Sequence, residues 1–218
     1  MNRLLFQKTG RAIYISHLDT MAMFPRVFLR AGLPIKFTQG MSPHAYVSIA
    51  LPLSVGISSE CELLDFTLET DIALETLPER LNPYFPAGIR ALEAYDSNRK
   101  VKELRYLRCE LTMEYDRGLP ANAPDALEEL FRREALTVEK KTKKGMADTD
   151  IMPMIEKLDV EKISQQELCL HTVISAQNPA LNPQLLVRAV ERYLPDCTPD
   201  FAKAHRLEVY DQDLRVFR

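Results

Sequence analysis

The order of strand and helix patterns along the chain limits its fold more than any other feature of the sequence. In the first half, apolar alternation and helical spacing follow one another as strand, helix, strand, strand, helix and strand. The extended segments are residues 3–16 (with a turn at 8–11), 35–38, 45–51, 62–69 and 89–95, and the helical segments are 17–31 and 72–82. This order is typical of the ferredoxin-like, or split βαβ, fold.

A related order follows the polar segment 96–103, which is typical of a linker. The pattern predicts strands at 104–115, 136–141, 167–175 and 206–211, helices at 123–134 and 183–194, and a short helical piece at 151–157. We therefore predict an α+β protein made of two ferredoxin-like halves, each an antiparallel sheet with helices packed on one face. Residues 1–96 form the N-terminal half in this interpretation, and residues 104–218 form the C-terminal half.

The first helix has a defined start and an unusual interior. Ser16 is placed to cap the helix, and Asp19 follows at the third position, as in a capping box with a shorter acid. Gly32 ends the helix before a Leu-Pro pair. Pro25 lies inside the helical pattern, where it removes a hydrogen bond and is expected to kink the helix.

Charge is distributed unevenly along the sequence. The net charge is −3, but residues 1–50 carry a net +5 and the other 168 residues carry −8. The N-terminal excess comes from six cations set against the single acid Asp19: Arg3, Lys8, Arg11, Arg26, Arg30 and Lys36. These charges either form a basic surface for an anionic ligand or are simply solvated.

The sequence also indicates a compartment. Its four cysteines are far apart and form no CxxC pair, and neither a signal peptide nor an apolar stretch of transmembrane length is visible. With 218 residues the chain does not need disulfides to build a core. We expect reduced thiols in a soluble, cytoplasmic protein that does not enter a membrane.

The densest group of candidate functional residues lies between Lys8 and Pro43. His17 and Asp19 follow the cap of the first helix, where an anion can bind, and Lys8 and Arg11 come from the neighbouring turn. His17 and Asp19 are the candidate catalytic residues. The alternative is that Ser16 and Asp19 only build the helix start.

A turn-forming segment, Gln-Gly-Met-Ser-Pro-His at 39–44, contributes Ser42 as a further binding candidate; alternatively, it only forms a rigid hairpin or bulge. His17, His44 and Asp19 could form a metal site, but their spacing matches no closed ligand motif, so we predict no metal.

A second basic segment lies in the C-terminal half. Four lysines surround Thr142 and precede Gly145, which describes an exposed hairpin or loop suited to phosphate contacts without sequence readout, or a solvated turn. The predicted binding residues of the whole chain are Lys8, Arg11, His17, Arg30, Lys36, Ser42, Lys140, Lys141, Lys143 and Lys144.

Several cofactor motifs are missing from the sequence. It contains no P-loop, no GxGxxG, no HExxH, no nucleophile elbow and no CxxxCxxC that could hold an iron–sulfur cluster. We therefore expect no cofactor.

Several motifs occur together in one arrangement. These are KTGRAIYISHLD at 8–19, RAGLP at 30–34, TQGMSPH at 38–44, ALPLSVG at 50–56 and KTKKGMADTDI at 141–151. Together they resemble the radical-SAM-linked family of uncharacterised bacterial domains, whose members are fused to or encoded beside radical SAM proteins. The sequence departs from that family at Pro25 and at Met41-Ser42. The resemblance implies a radical SAM partner supplied in trans.

Three functions are compatible with these observations. The first is an accessory domain, not itself an enzyme, that binds ribosomal or transfer RNA for the radical SAM partner. The second is an RNA-modifying or RNA-processing enzyme with His17 as acid or base; the Gly-Arg-Thr-Asp stretch of pseudouridine synthases and the glycine-rich loop of RAMP endonucleases are both missing. The third is a domain that docks the radical SAM subunit through its acidic part.

Overall fold

A computed structural model describes residues 1–142 and 145–218, except for the side chains of Lys141 and Thr142. The chain divides into two compact units, one of Met1–Glu103 with Arg218 and one of Leu104–Phe217. Both units combine strands with helices, which confirms the predicted α+β class. Within the described residues, no helix has the length and apolarity needed to cross a membrane.

The first unit is built around an antiparallel sheet. Its elements are β1 (Asn2–Lys8), α1 (His17–Arg30), β2 (Val47–Ile49), β3 (Ser58–Phe66), α2 (Leu77–Leu81) and β4 (Ile89–Asp96). In the sheet β4 pairs with β1, β1 with β3, and β3 with β2, so the lateral order is β4-β1-β3-β2. The first strand of the chain is therefore central in its sheet.

The second unit repeats this order with one insertion. Its elements are β5 (Tyr106–Glu114), α3 (Ala123–Leu130), β6 (Thr137–Thr142), β7 (Gly145–Asp150), β8 (Ile155–Lys162), β9 (Glu167–Ser175), α4 (Gln184–Tyr193) and β10 (Phe201–Tyr210). The lateral order of its main sheet is β10-β5-β9-β8, again antiparallel. Strands β6 and β7 pair with each other as a separate two-stranded hairpin.

The core of the first unit is aromatic. The ring of Phe24 on α1 meets Phe6 of β1 edge-on at 5.0 Å between centroids, and Phe28 meets Phe66 of β3 at 5.1 Å. Because residues alternate across a strand, Phe6 and Leu4 face α1 while Arg3 lies on the opposite face. There Arg3 is fully buried and is held by Asp65 at 2.6 Å.

Two predicted segments were wrong. Residues 12–15 do not form a strand; Gly10–Tyr14 is a 3-10 turn, because Gly10 takes a positive φ of +54° and redirects the chain towards α1. The predicted helical piece at 151–157 is a 3-10 turn at Met152–Met154 followed by strand β8. Charged residues alternate with Leu158 and Val160 in β8, so its apolar signal is weak.

A further segment, 35–38, makes only single bridges, from Ile35 to Leu68 and from Phe37 to Ala45. The other predicted elements are present with shifted bounds, and β9 has the predicted bounds.

One glycine fixes the end of β1. The amide of Thr9 donates to the carbonyl of Gly88 at 2.7 Å, and Gly88 has a φ of +91°. A Cβ at Gly88 would lie 2.2 Å from the Thr9 carbonyl oxygen, so no other residue fits without a backbone shift. This close approach places Lys8, the last residue of β1, beside the start of α1.

Candidate functional site

Three titratable side chains from different elements meet at the end of β1. Lys8, Glu62 of β3 and His17 of α1 line one cavity together with Thr20. The strand register brings the first two together, because Phe6 lies opposite Glu62 and Lys8 opposite Ser59. The cavity has a volume of about 10 Å³, which is the room needed by a single water molecule.

Lys8 belongs to the interior of the protein. Its side chain is 2% exposed, and its Nζ donates to the carbonyl oxygen of Ile15 at 2.6 Å. Desolvation lowers the pKa of Lys8, and the charge of Glu62, itself 3% exposed, acts in the opposite direction. Its ammonium group is therefore not part of an exposed basic surface.

The start of α1 explains what Asp19 does locally. The Ser16 hydroxyl accepts from the Asp19 amide at 3.1 Å and donates to the Asp19 carboxylate at 2.6 Å. This confirms the predicted cap with its shorter acid. The helix continues through Pro25 to Arg30. Asp19 is exposed at the cap and does not line the cavity that holds His17.

The remaining N-terminal candidates are spread over the surface. Arg11, Arg30 and Lys36 are exposed, and so is Ser42 in the loop before β2. In the same loop the amide of His44 donates to the Thr38 hydroxyl at 2.9 Å. The structure therefore brings Lys8 and His17 together but leaves Ser42 outside that cavity. In the described part of the chain, no three His, Cys, Asp or Glu residues are arranged to hold a metal ion.

The C-terminal unit contains a larger groove of about 640 Å³. It lies between the β6–β7 hairpin and α4, and its lining includes Arg188 and Arg192. Arg188 donates from Nη1 to the Glu139 carbonyl oxygen at 3.1 Å, and Arg192 donates from Nη1 to the Asp148 carboxylate at 3.0 Å. Each arginine is thus fastened to the hairpin by a hydrogen bond.

An aromatic ring orients one of these arginines. The guanidinium groups of Arg133 and Arg192 lie 5.4 and 5.7 Å from the centre of the Tyr193 ring, and the Tyr193 hydroxyl donates to the Thr137 carbonyl at 3.0 Å. The Asp148 carboxylate raises the pKa of Arg192. The guanidinium of Arg192 is therefore held between a carboxylate and a ring.

The predicted lysine segment adjoins this groove in sequence. Lys140 donates from Nζ to the Ala180 carbonyl oxygen at 2.7 Å. Lys143 and Lys144 lie outside the described residues, as does the side chain of Lys141. Sequence reasoning missed Arg188 and Arg192 because it used only the apolar face of this helix. Their spacing of four residues, which places both on one helix side, was the available signal.

Fold and groove together define a mixed α+β protein with an arginine-lined groove in its second unit. The chain belongs to a family of uncharacterised proteins conserved in bacteria, DUF2344, whose model matches residues 2–183. This confirms the predicted assignment to an uncharacterised bacterial family. No curated protein matches the sequence.

Solved structures resemble the chain in fold at low sequence identity. A chain of a Cbf5-Nop10-Gar1 complex matches with a TM-score of 0.54 and 7% identity over 95% of this chain and 48% of that one. A chain of the archaeal box H/ACA sRNP Nop10-Cbf5 complex matches with a TM-score of 0.46 and 10% identity over 94% and 46%. An unknown protein from Galdieria sulphuraria gives 0.22 and 8% over 94% and 96%. The chain spans about half the length of the first two.

Proposed function

We propose that this chain is an accessory domain that binds RNA and presents it to a radical SAM protein supplied in trans. The observation that carries the RNA part is the groove between α4 and the β6–β7 hairpin, with Arg188 and Arg192 in its lining. A guanidinium carries five N–H donors in a fixed fork that matches a phosphate. The hydrogen bond that each arginine makes to the hairpin uses one of these donors, so the side chain is held in place while other donors can bind the ligand.

The lysines of the hairpin extend this proposal. Lys140, Lys141, Lys143 and Lys144 add four positive charges to the segment that walls the groove. Lysine and arginine contacts to phosphates are independent of base sequence, so the domain recognises the RNA backbone. Two acids also line the groove, Asp148 and Glu191, and they keep it from binding anions tightly at high salt.

The N-terminal unit contributes fewer contacts than its charge count suggests. Arg3 and Lys8 are buried, which removes them from any RNA surface. Arg11, Arg30 and Lys36 remain as proposed phosphate contacts, because they are exposed.

We also assign each unit to the ferredoxin-like class. Support comes from the element order, which is strand, helix, strand, strand, helix, strand in both units, and from the lateral order of fourth, first, third and second strand. The β6–β7 hairpin is then an insertion before the second strand of its unit.

The test is RNA binding measured over a salt series with transfer RNA as the probe. The affinity of the wild type should fall linearly with salt on logarithmic axes. In an Arg188→Gln/Arg192→Gln variant the slope should be shallower by about 0.7 for each phosphate that the variant no longer neutralises. The control is Arg90→Gln/Arg108→Gln, which removes two exposed charges outside the groove lining.

Two results would reject parts of this proposal. Absence of binding at low salt, or binding that salt does not weaken, rejects RNA as the ligand. Salt-sensitive binding with the same slope in the wild type and in the groove variant rejects the groove as the site.

The radical SAM partner rests on the motif resemblance at 8–19, 38–44 and 141–151. Its test is co-purification of the tagged chain with the radical SAM protein encoded beside it, in its own bacterium. Recovery of the chain without that protein under gentle, low-salt conditions would reject the partner and leave RNA binding unaffected.

A further inference from the structure

Helix α1 turns an apolar stripe to the outside of the protein. Its inner face is formed by Thr20, Phe24, Val27 and Phe28, which are buried. On its outer face, Leu18 is 77% exposed and Leu29 is 69% exposed. Two leucines this exposed on one helix of a water-facing surface are typical of a contact with another protein.

The stripe has the spacing of a helix–helix contact. Leu18, Ala22, Pro25 and Leu29 are separated by four, three and four residues, which places them on one side of the helix. Ala22 is exposed and Pro25 half-buried. The spacing is the same in both directions along the chain. When two copies of α1 pack antiparallel, Leu18 therefore lies opposite the partner's Leu29, and Ala22 lies opposite the partner's Pro25.

The charges beside the stripe are also self-complementary. Asp19, Arg26 and Arg30 are all exposed, and at 100° per residue they fall on the same flank of the stripe. In an antiparallel pair related by a two-fold axis, like flanks adjoin. Asp19 then lies within about one turn of the partner's Arg26 and Arg30, and the symmetry makes this contact twice. A parallel pair would instead place arginines against arginines.

We propose that α1 is the contact surface of a homodimer, in which the outer faces of two α1 helices pack antiparallel about a two-fold axis. The small Ala22 at the centre lets the two helices approach closely. The contact is small, so the dimer belongs with weak complexes that bury less than about 1,200 Å² in total. It is independent of the RNA groove on the second unit.

The first test is sedimentation equilibrium of the full chain over a range of protein concentrations. We expect a concentration-dependent monomer–dimer equilibrium in the wild type. Leu29→Glu should weaken association at least tenfold, because it places a carboxylate in the stripe. Leu92→Glu, at an exposed apolar position on β4, is the matched control and should associate like the wild type. A wild type that stays monomeric at every concentration overturns the proposal, and so does a Leu29→Glu variant that dimerises normally.

The second test reads the register directly. In the proposed pair, residue 18 meets the partner's residue 29, whereas the two copies of residue 18 lie about 16 Å apart along the helices. A disulfide needs Cα atoms within about 7 Å. A mixture of Leu18→Cys and Leu29→Cys proteins should therefore cross-link on mild oxidation, while either protein alone should not. The four native cysteines are buried and should not interfere. Cross-linking of Leu18→Cys with itself, or no cross-linking of the mixture, overturns the antiparallel register.

Discussion

Lys8 shows how little a side chain's type says about its role. In the sequence it is one of six N-terminal cations, yet the folded protein buries it beside Glu62 and bonds its ammonium to the Ile15 carbonyl. Burying an ammonium is costly unless it is paired and hydrogen-bonded, and here the carboxylate and the carbonyl provide that compensation. With His17 on the same cavity, the cluster can hold a proton between an amine, an imidazole and a carboxylate.

Burial of Lys8 makes stability depend on pH. Its pKa in the folded protein is lowered from the ordinary 10.5, so between the two values the unfolded chain binds more protons than the folded one. The free energy of unfolding contributed by Lys8 must then rise with pH through that interval and level off above 10.5. We expect the difference in unfolding free energy between the wild type and Lys8→Met to change in the wild type's favour towards pH 10.5, as measured by urea denaturation at a series of alkaline pH values.

The comparison with Lys8→Met cancels the other lysines and tyrosines that titrate in the same range. A difference that stays constant, or that moves in favour of the variant with rising pH, would contradict the burial of this lysine as an ammonium. Circular dichroism at the lowest pH of the series establishes that both proteins are folded before the comparison is made.

Among the elements, α1 has the most clearly defined start. The Ser16 hydroxyl bonds to the amide and to the carboxylate of Asp19, and the Thr20 hydroxyl donates to the Ser16 carbonyl at 2.8 Å. These contacts satisfy groups that a helix end otherwise leaves without intrahelical partners. They also hold His17 at the cavity, since it is the first residue of the helix.

Removal of this cap has a predictable cost. We expect Ser16→Ala to lower the free energy of unfolding by about 1 kcal/mol, in the range of about 0.5–2 kcal/mol found for such caps. Chemical denaturation measures the change. Ser54→Ala, in the exposed loop before β3, should change stability by less than about 0.5 kcal/mol. Equal effects of the two substitutions would show that the cap contributes no stability of its own.

At the scale of the whole molecule, the two units repeat one element order but carry different features. The first unit has the buried cluster at the end of β1, and the second has the hairpin and the arginine-lined groove. The net charge of −3 therefore says little about ligands, because local fields decide where an anion binds.

RNA contacts should consequently map to particular parts of the chain. After ultraviolet cross-linking to bound transfer RNA, we expect mass spectrometry to recover modified peptides from residues 133–150 and 184–193, which contain the hairpin and the groove arginines. Peptides from α1 should remain unmodified if its outer face is a dimer contact. Modification confined to residues 8–43 would instead favour the segment around the helix start and contradict the groove.

The sequence predicted the elements because their signals are local. Apolar periodicity places α1 and α4, and β9 has the predicted bounds of Glu167–Ser175. The cap at Ser16 and Asp19 was also predictable, since its contacts span three residues. Predictions failed where a local pattern was ambiguous, as at Gly10–Tyr14, where an apolar run forms a 3-10 turn.

The sequence by itself thus determined the α+β class, the twofold element order, the family and the start of α1, all of which depend on neighbours within a few residues. Only the tertiary structure decided which polar groups meet. Arg3 and Asp65 are 62 residues apart, and Arg188 reaches a carbonyl 49 residues away. Glu62 joins Lys8 and His17 only because β1 and β3 pair in one register. The physical reason is that charge pairing and burial depend on distances in space, which the order of residues along a chain does not specify.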